Sequence, residues 1–186
     1  MLARAVSAAL EGVGCSVIDV GLVPTPTTLM AVRYHGADGG IVVTASHNPV
    51  EWNALKLASS SGMFLDAEEA AAMRAYLDQP VPWRRWDGLG AVTRDDGAAE
   101  RHVAAILDLP FLDVAAIRSR RPKVALECIR GAGAVTLPPL LEALGCEVHG
   151  LNLEPDGRFP RKPEPVAEHL GELEALVRET GADIGL

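Results

Sequence analysis

Cysteine is scarce in this chain: Cys15, Cys128 and Cys146 are the only three in 186 residues. An odd, widely spaced trio fits reduced structural thiols better than a disulfide framework or a zinc site. Basic charge is also in deficit, with 17 Lys and Arg against 25 Asp and Glu, a net charge of -8. That balance argues against nucleic acid as a partner, although a local basic cluster can still hold a small phosphorylated ligand. Long apolar runs are missing too. Arg4 and Glu11 break up the first apolar residues, and no stretch approaches the length of a membrane helix, so no membrane partner is expected and the cytoplasm is the expected compartment. His35, His102, His149 and His169 show no metal-ligand spacing and are expected at the surface or in structural roles. There is no Gly-x-Ser-x-Gly elbow, and Gly131-Ala132-Gly133 lacks the further glycine of a dinucleotide fingerprint, so a tight turn is the simpler reading of that triplet.

What the chain does have is 48% hydrophobic residues with glycine and proline spread throughout, enough for one or two globular cores. The pattern alternates helix and strand. A helix is predicted over Ala3 to Val13, a strand over Ser16 to Val20, and a second helix from Thr25, with Pro26 at its first position, to His35. Strands follow at Gly40 to Val43 and Ala54 to Ala58, and Asp66 with Glu69 is a capping signature for a helix reaching Leu77. Residues 78–97 show no sustained period and read as an irregular connection. Helices are expected over Glu100 to Leu107 and Phe111 to Arg118. A second alternating series comprises a strand at Lys123 to Cys128, a helix at Ala134 to Leu144, a strand at Glu147 to Leu151, a helix at Val166 to Thr180 and a strand beginning at Ala182. The expected architecture is therefore α/β: two similar layered domains, 1–93 and 94–186, with mainly parallel mixed sheets covered by helices.

The chemistry concentrates at Thr44-Ala45-Ser46-His47-Asn48-Pro49, where the apolar run Gly40-Ile41-Val42-Val43 breaks into a turn. Asn-Pro cannot continue the strand, so Ser46 belongs at its carboxyl end, the side on which open α/β sheets bind ligands. Two readings of a Ser-His pair compete. One is nucleophilic hydrolysis. Adjacent residues on an extended loop point apart, however, which disfavours it.

The hexapeptide closely resembles the active-site serine loop of the α-D-phosphohexomutases, the family of phosphomannomutase, phosphoglucomutase and phosphoglucosamine mutase. Gly21-Leu22-Val23-Pro24-Thr25-Pro26-Thr27 is similar to that family's first loop. Asn53 and Lys56 follow the serine at the family's spacing, and Leu153 to Pro160 with Pro163-Glu164-Pro165 resembles its second domain. The resemblance implies an enzyme that interconverts hexose 1- and 6-phosphates through a phosphoserine at Ser46 and a bisphosphorylated sugar. Lys56 would neutralise the phosphoryl charge, His47 would hydrogen-bond the phosphate or relay a proton, and Asn48 would support the loop or bind the phosphate. It also implies a magnesium ion bound through the phosphate of Ser46, its other ligands lying in an aspartate-rich loop that this sequence does not contain. The resemblance covers a first domain and much of a second out of four, and both ends look cut, so this length alone is expected to be inactive. Where the family commonly carries an Asp and an Asn-Gly, this chain has Glu127 and Arg130-Gly131. Phosphoglucosamine mutase is the nearest alternative activity, and a non-catalytic fragment that folds or binds without turnover is the alternative of another class. The sugar and the oligomeric state stay open.

Overall fold

Val6, Leu10 and Val13 recur at helical spacing and turn inward, and the computed structural model, which describes residues 1–49 and 51–186, shows helix α1 over Leu2–Gly12. Strand β1 (Val17–Asp19), helix α2 (Thr25–His35), the antiparallel pair β2 (Gly39–Val43) and β3 (Leu55–Ser59), and helix α3 (Ala67–Arg74) follow. Helix α3 starts where its sequence says it should. Asp66 accepts from the backbone N–H of Glu68 and Glu69, both at 2.9 Å, while Glu69 accepts in return from the N–H of Asp66 at 3.0 Å. It ends at Arg74 rather than Leu77, the last residues forming turns.

The segment expected to be irregular contains a short 3-10 turn at Trp86–Gly88 and a strand, β4 (Val92–Arg94), that pairs in parallel with β1. Three residues are too few to carry a period, and this strand exists through its partner: Val17 pairs with Val92 and Asp19 with Arg94. The approach depends on Gly90, where a Cβ would collide with the backbone of Cys15.

Helices α4 (Ala98–Leu107) and α5 (Val114–Arg120) precede a three-stranded parallel sheet ordered β6-β5-β7, with β5 at Lys123–Glu127, β6 at Glu147–Leu151 and β7 at Ile184–Gly185. Helix α5 starts three residues later than expected because Asp113 caps it, accepting from the Ala116 N–H at 2.8 Å. The helix expected over Ala134 to Leu144 divides into a 3-10 turn (Ala132–Val135) and α6 (Leu137–Ala143), with prolines in the first turn of α6. Likewise the expected Val166 to Thr180 helix is a 3-10 turn (Ala167–His169) followed by α7 (Gly171–Thr180). Leu173, Leu176 and Val177 form the inward stripe of α7, and Leu173 with Val177 closes over Gly185 of β7.

By contact the chain divides into two units. One comprises Met1–Gly21, Thr25–Thr44 and Asn53–Ala98; the other comprises Leu22–Pro24, Ala45–Trp52 and Ala99–Leu186. The first holds the β1-β4 and β2-β3 pairs. The second is built on β5, whose Val124, Ala125 and Leu126 are buried because helices cover both faces of a parallel strand. Val124, Leu126, Cys128 and Leu141 form its core, joined by Leu137, Val148 and Leu153. The α/β layering with mainly parallel strands is as the alternation predicted.

Candidate functional site

Strands β2 and β3 run one step beyond their named ends: Thr44 and Ala54 exchange backbone hydrogen bonds of 3.0 and 3.1 Å. There the loop leaves. Asn48 donates its N–H to the Ala45 carbonyl at 3.1 Å, closing a turn, and Asn53 accepts the Ala54 N–H on its side-chain oxygen at 3.0 Å.

Within that turn Ser46 has a φ of +58°, in the left-handed region that a side chain other than that of Gly, Asn or Asp seldom occupies. Residues held there cluster at ligand sites. The bend has a second effect, which reverses the expectation that neighbouring side chains point apart: Ser46 Oγ lies 3.3 Å from His47 Nδ1. In the tautomer with its proton on Nε2, the imidazole accepts from the hydroxyl, weakly at that length. In an extended chain, whose successive side chains alternate, the two would have stood on opposite sides.

Lys56 stands on β3 opposite Val42. Its ammonium nitrogen lies 5.7 Å from the centroid of the Phe64 ring, and no carboxylate pairs with it among the described residues. The sequence reading missed Phe64. The turn at Ser60 to Gly62 was the available signal, since a short return after a strand brings a residue back beside it; Phe64 bridges Ala58 in antiparallel fashion.

The first loop is fastened from below. Asp19 accepts the Gly21 N–H at 2.8 Å and pairs with Arg94 at 2.9 Å, and Arg94 also pairs with Asp96 at 2.6 Å. These carboxylates, Asp96 foremost, raise the pKa of Arg94 above the usual guanidinium value. Gly21, with φ +73°, leaves the room that the guanidinium fills. Arg94 was out of reach of sequence reasoning because its strand was.

At the carboxyl ends of β5 and β6 the backbone is again bent: Ile129, Arg130 and Asn152 have φ of +42°, +60° and +54°. Arg130 donates to Asp156 at 2.7 Å through Nε and to Glu154 at 2.6 Å through Nη2. The Gly131-Ala132-Gly133 segment between them is a turn that enters the 3-10 helix, as its sequence suggested. His35 pairs with Asp95 at 2.8 Å, and His169 Nδ1 lies 2.8 Å from the Glu164 carbonyl oxygen. Both fill structural roles.

No three His, Cys, Asp or Glu side chains converge on a metal-sized space among the described residues. No helix among them is long and apolar enough to cross a membrane.

Residues 1–80 match the model of "Phosphoglucomutase/phosphomannomutase, alpha/beta/alpha domain I" and residues 100–186 that of domain II. The chain belongs to the phosphoglucomutase/phosphomannomutase family. It is 42% identical over 188 residues to a phosphoglucomutase/phosphomannomutase of Thermococcus kodakarensis, matching 100% of this chain and 41% of that protein. It is 39% identical over 186 residues to a probable phosphoglucosamine mutase of Methanopyrus kandleri, matching 100% of this chain and 40% of the relative. A crystal structure of a family member from Burkholderia thailandensis superposes with a TM-score of 0.79 at 29% identity, covering 99% of this chain and 40% of that one. The chain thus spans about two fifths of the length of these relatives.

Proposed function

We propose that the protein carrying these residues is a phosphohexomutase whose phosphoryl carrier is Ser46. The observation that supports this reading is the left-handed backbone of Ser46 at the end of β2, with its hydroxyl turned onto His47. In the reaction we assign, the Ser46 Oγ–P bond breaks as a sugar hydroxyl takes the phosphoryl group, giving a bisphosphorylated hexose. Ser46 then takes back the other phosphate, so a 1-phosphate becomes a 6-phosphate. Transfer of this kind depends on positioning and charge neutralisation rather than on a strong nucleophile. Lys56 supplies a positive charge on β3, His47 a hydrogen bond or proton at the serine, and Asn48 holds the turn through its backbone and binds phosphate.

The Ser46–His47 contact is also what a serine hydrolase would show. In that chemistry a third group orients the imidazole, and no carboxylate or carbonyl partner of His47 is found among the described residues. Phosphoryl transfer needs no such relay, and we favour it.

A magnesium ion would neutralise phosphoryl charge in such an enzyme. The described side chains do not by themselves make its site: among them are the Ser46 oxygen and no converging carboxylates. Three free cysteines and the expected sugar phosphate substrate support a cytoplasmic setting.

Mass spectrometry after incubation with glucose 1,6-bisphosphate tests the assignment. Phosphate is expected on Ser46, with turnover lost in Ser46→Ala. Phosphate on Thr44, Ser59 or Ser60, with Ser46→Ala still active, overturns it. Residues 1–186 alone are expected to show no mutase turnover; sustained interconversion of hexose 1- and 6-phosphates by this length, abolished by Ser46→Ala, would show that no further part is needed.

A further inference from the structure

Arg94, Arg130 and Arg161 are each held by carboxylates: Arg94 by Asp19 and Asp96, Arg130 by Glu154 and Asp156, Arg161 by Glu127. Lys56 is held differently. Its ammonium rests over the face of Phe64, and the surrounding groove is apolar, lined by Leu55, Leu57, Phe64, Leu65 and Met73. The distinction has a physical consequence. A carboxylate partner would fix the lysine but cancel its charge, whereas an aromatic ring offers only the negative face of a quadrupole, which attracts the ammonium without neutralising it.

We infer that Phe64 is a positioning residue for Lys56: its ring holds the ammonium in one place on β3 while leaving the full positive charge for an incoming phosphoryl group. A lysine head on four rotatable carbons otherwise samples many positions, and ordering it at the moment of reaction would subtract from the charge stabilisation it provides. Phe64 is suited to the task because its backbone is fixed by the bridge to Ala58, two residues from Lys56 on the same strand. Its position is set by the turn at Ser60 to Gly62, across which the Ser59 N–H donates to the Met63 carbonyl and the Ser59 carbonyl accepts from the Gly62 N–H. This inference rests on the role proposed above for Lys56.

Two readouts separate the inference from that role. In the 186-residue chain, the ε-methylene protons of Lys56 are expected to be shifted upfield by the ring current, the shift being lost in Phe64→Leu and kept in Phe64→Tyr. In the complete polypeptide carrying these residues, single-turnover transfer between glucose 1,6-bisphosphate and Ser46 is expected to slow about fivefold in Phe64→Leu, with Phe64→Tyr near the parent rate. Phe64→Leu added to Lys56→Ala is expected to slow transfer no further, because the ring acts only through the lysine. If Lys56→Ala leaves transfer unchanged, the role of Lys56 itself fails. If Lys56→Ala slows transfer but Phe64→Leu does not, or if the double variant is slower than Lys56→Ala alone, the positioning role of Phe64 is overturned. An unshifted Lys56 methylene in the parent chain overturns it as well.

Discussion

Arg161 grips Glu127 with two nitrogens: Nη2 donates at 2.6 Å and Nε donates to both carboxylate oxygens at 3.1 Å. The Glu127 side chain is 1% exposed and that of Arg161 16%. Asn152 adds a third donor at 3.3 Å, so the last residue of β5 ties down both the bend after β6 and the loop that follows. Removing the arginine alone strands a buried carboxylate. Arg161→Met is therefore expected to destabilise the chain by about 3–5 kcal/mol. The double variant Glu127→Gln with Arg161→Met should recover most of the loss. Urea denaturation of the three proteins measures both effects, and equal stability of the parent and Arg161→Met would show that the pair contributes nothing.

Ser46 is expected to illustrate a site kept at the expense of stability. Its left-handed conformation is strained for serine and free for glycine, so Ser46→Gly should stabilise the unphosphorylated chain by up to about 1 kcal/mol while abolishing phosphate uptake. Denaturant melts and intact-mass measurement after bisphosphate treatment give the two halves. A destabilised Ser46→Gly would mean the bend is not strained.

Asp156 carries a pH dependence. The Arg130 guanidinium, and after it the backbone N–H of Arg158, hold its pKa below the ordinary 3.8. A carboxyl depressed by folding contributes stability that is present above the unfolded value and lost as pH falls through the lower folded value. Asp156→Asn should thus lower stability at neutral pH and flatten the acid limb of the stability curve below about pH 4. Melting temperatures of both proteins across that range test it; parallel acid limbs would remove Asp156 from the account.

The cysteines should differ in reactivity. Burial, with a smaller contribution from Glu127, pushes the Cys128 thiol up to about 11, whereas Cys15 is exposed. Iodoacetamide at neutral pH is expected to label Cys15 in the native chain and Cys128 only in denaturant. Peptide mapping of labelled protein reads the order, and native labelling of Cys128 ahead of Cys15 would contradict the packing around β5.

Much of this architecture was legible because local chemistry and tertiary structure agree. Asp66 and Glu69 announce α3, Gly14 and Gly36 close the first two helices, and the apolar run Val124-Ala125-Leu126 marks a strand buried on both faces. Strand β4 was not legible, since Val92-Thr93-Arg94 has no pattern of its own and is a strand only because β1 lies beside it. The candidate residues Ser46, His47, Asn48 and Lys56 were named from motif and spacing, and their role is the one proposed above. Their geometry could not be read that way. The approach of Ser46 to His47 belongs to a tight turn rather than to an extended chain, and the seat of Lys56 on Phe64 to a turn whose width the sequence does not state.

The split of the first unit into two separate two-stranded ladders bears on how this chain must be handled. Each of β1 and β2 has one paired side, so among the described residues each presents an opposite side whose amides and carbonyls lack ladder partners, and Ile18 on β1 is 39% exposed. Such sides recruit other extended backbones. Their encounter is bimolecular, so losses during purification should rise with concentration rather than with storage time alone, and dilution should protect the preparation better than cooling.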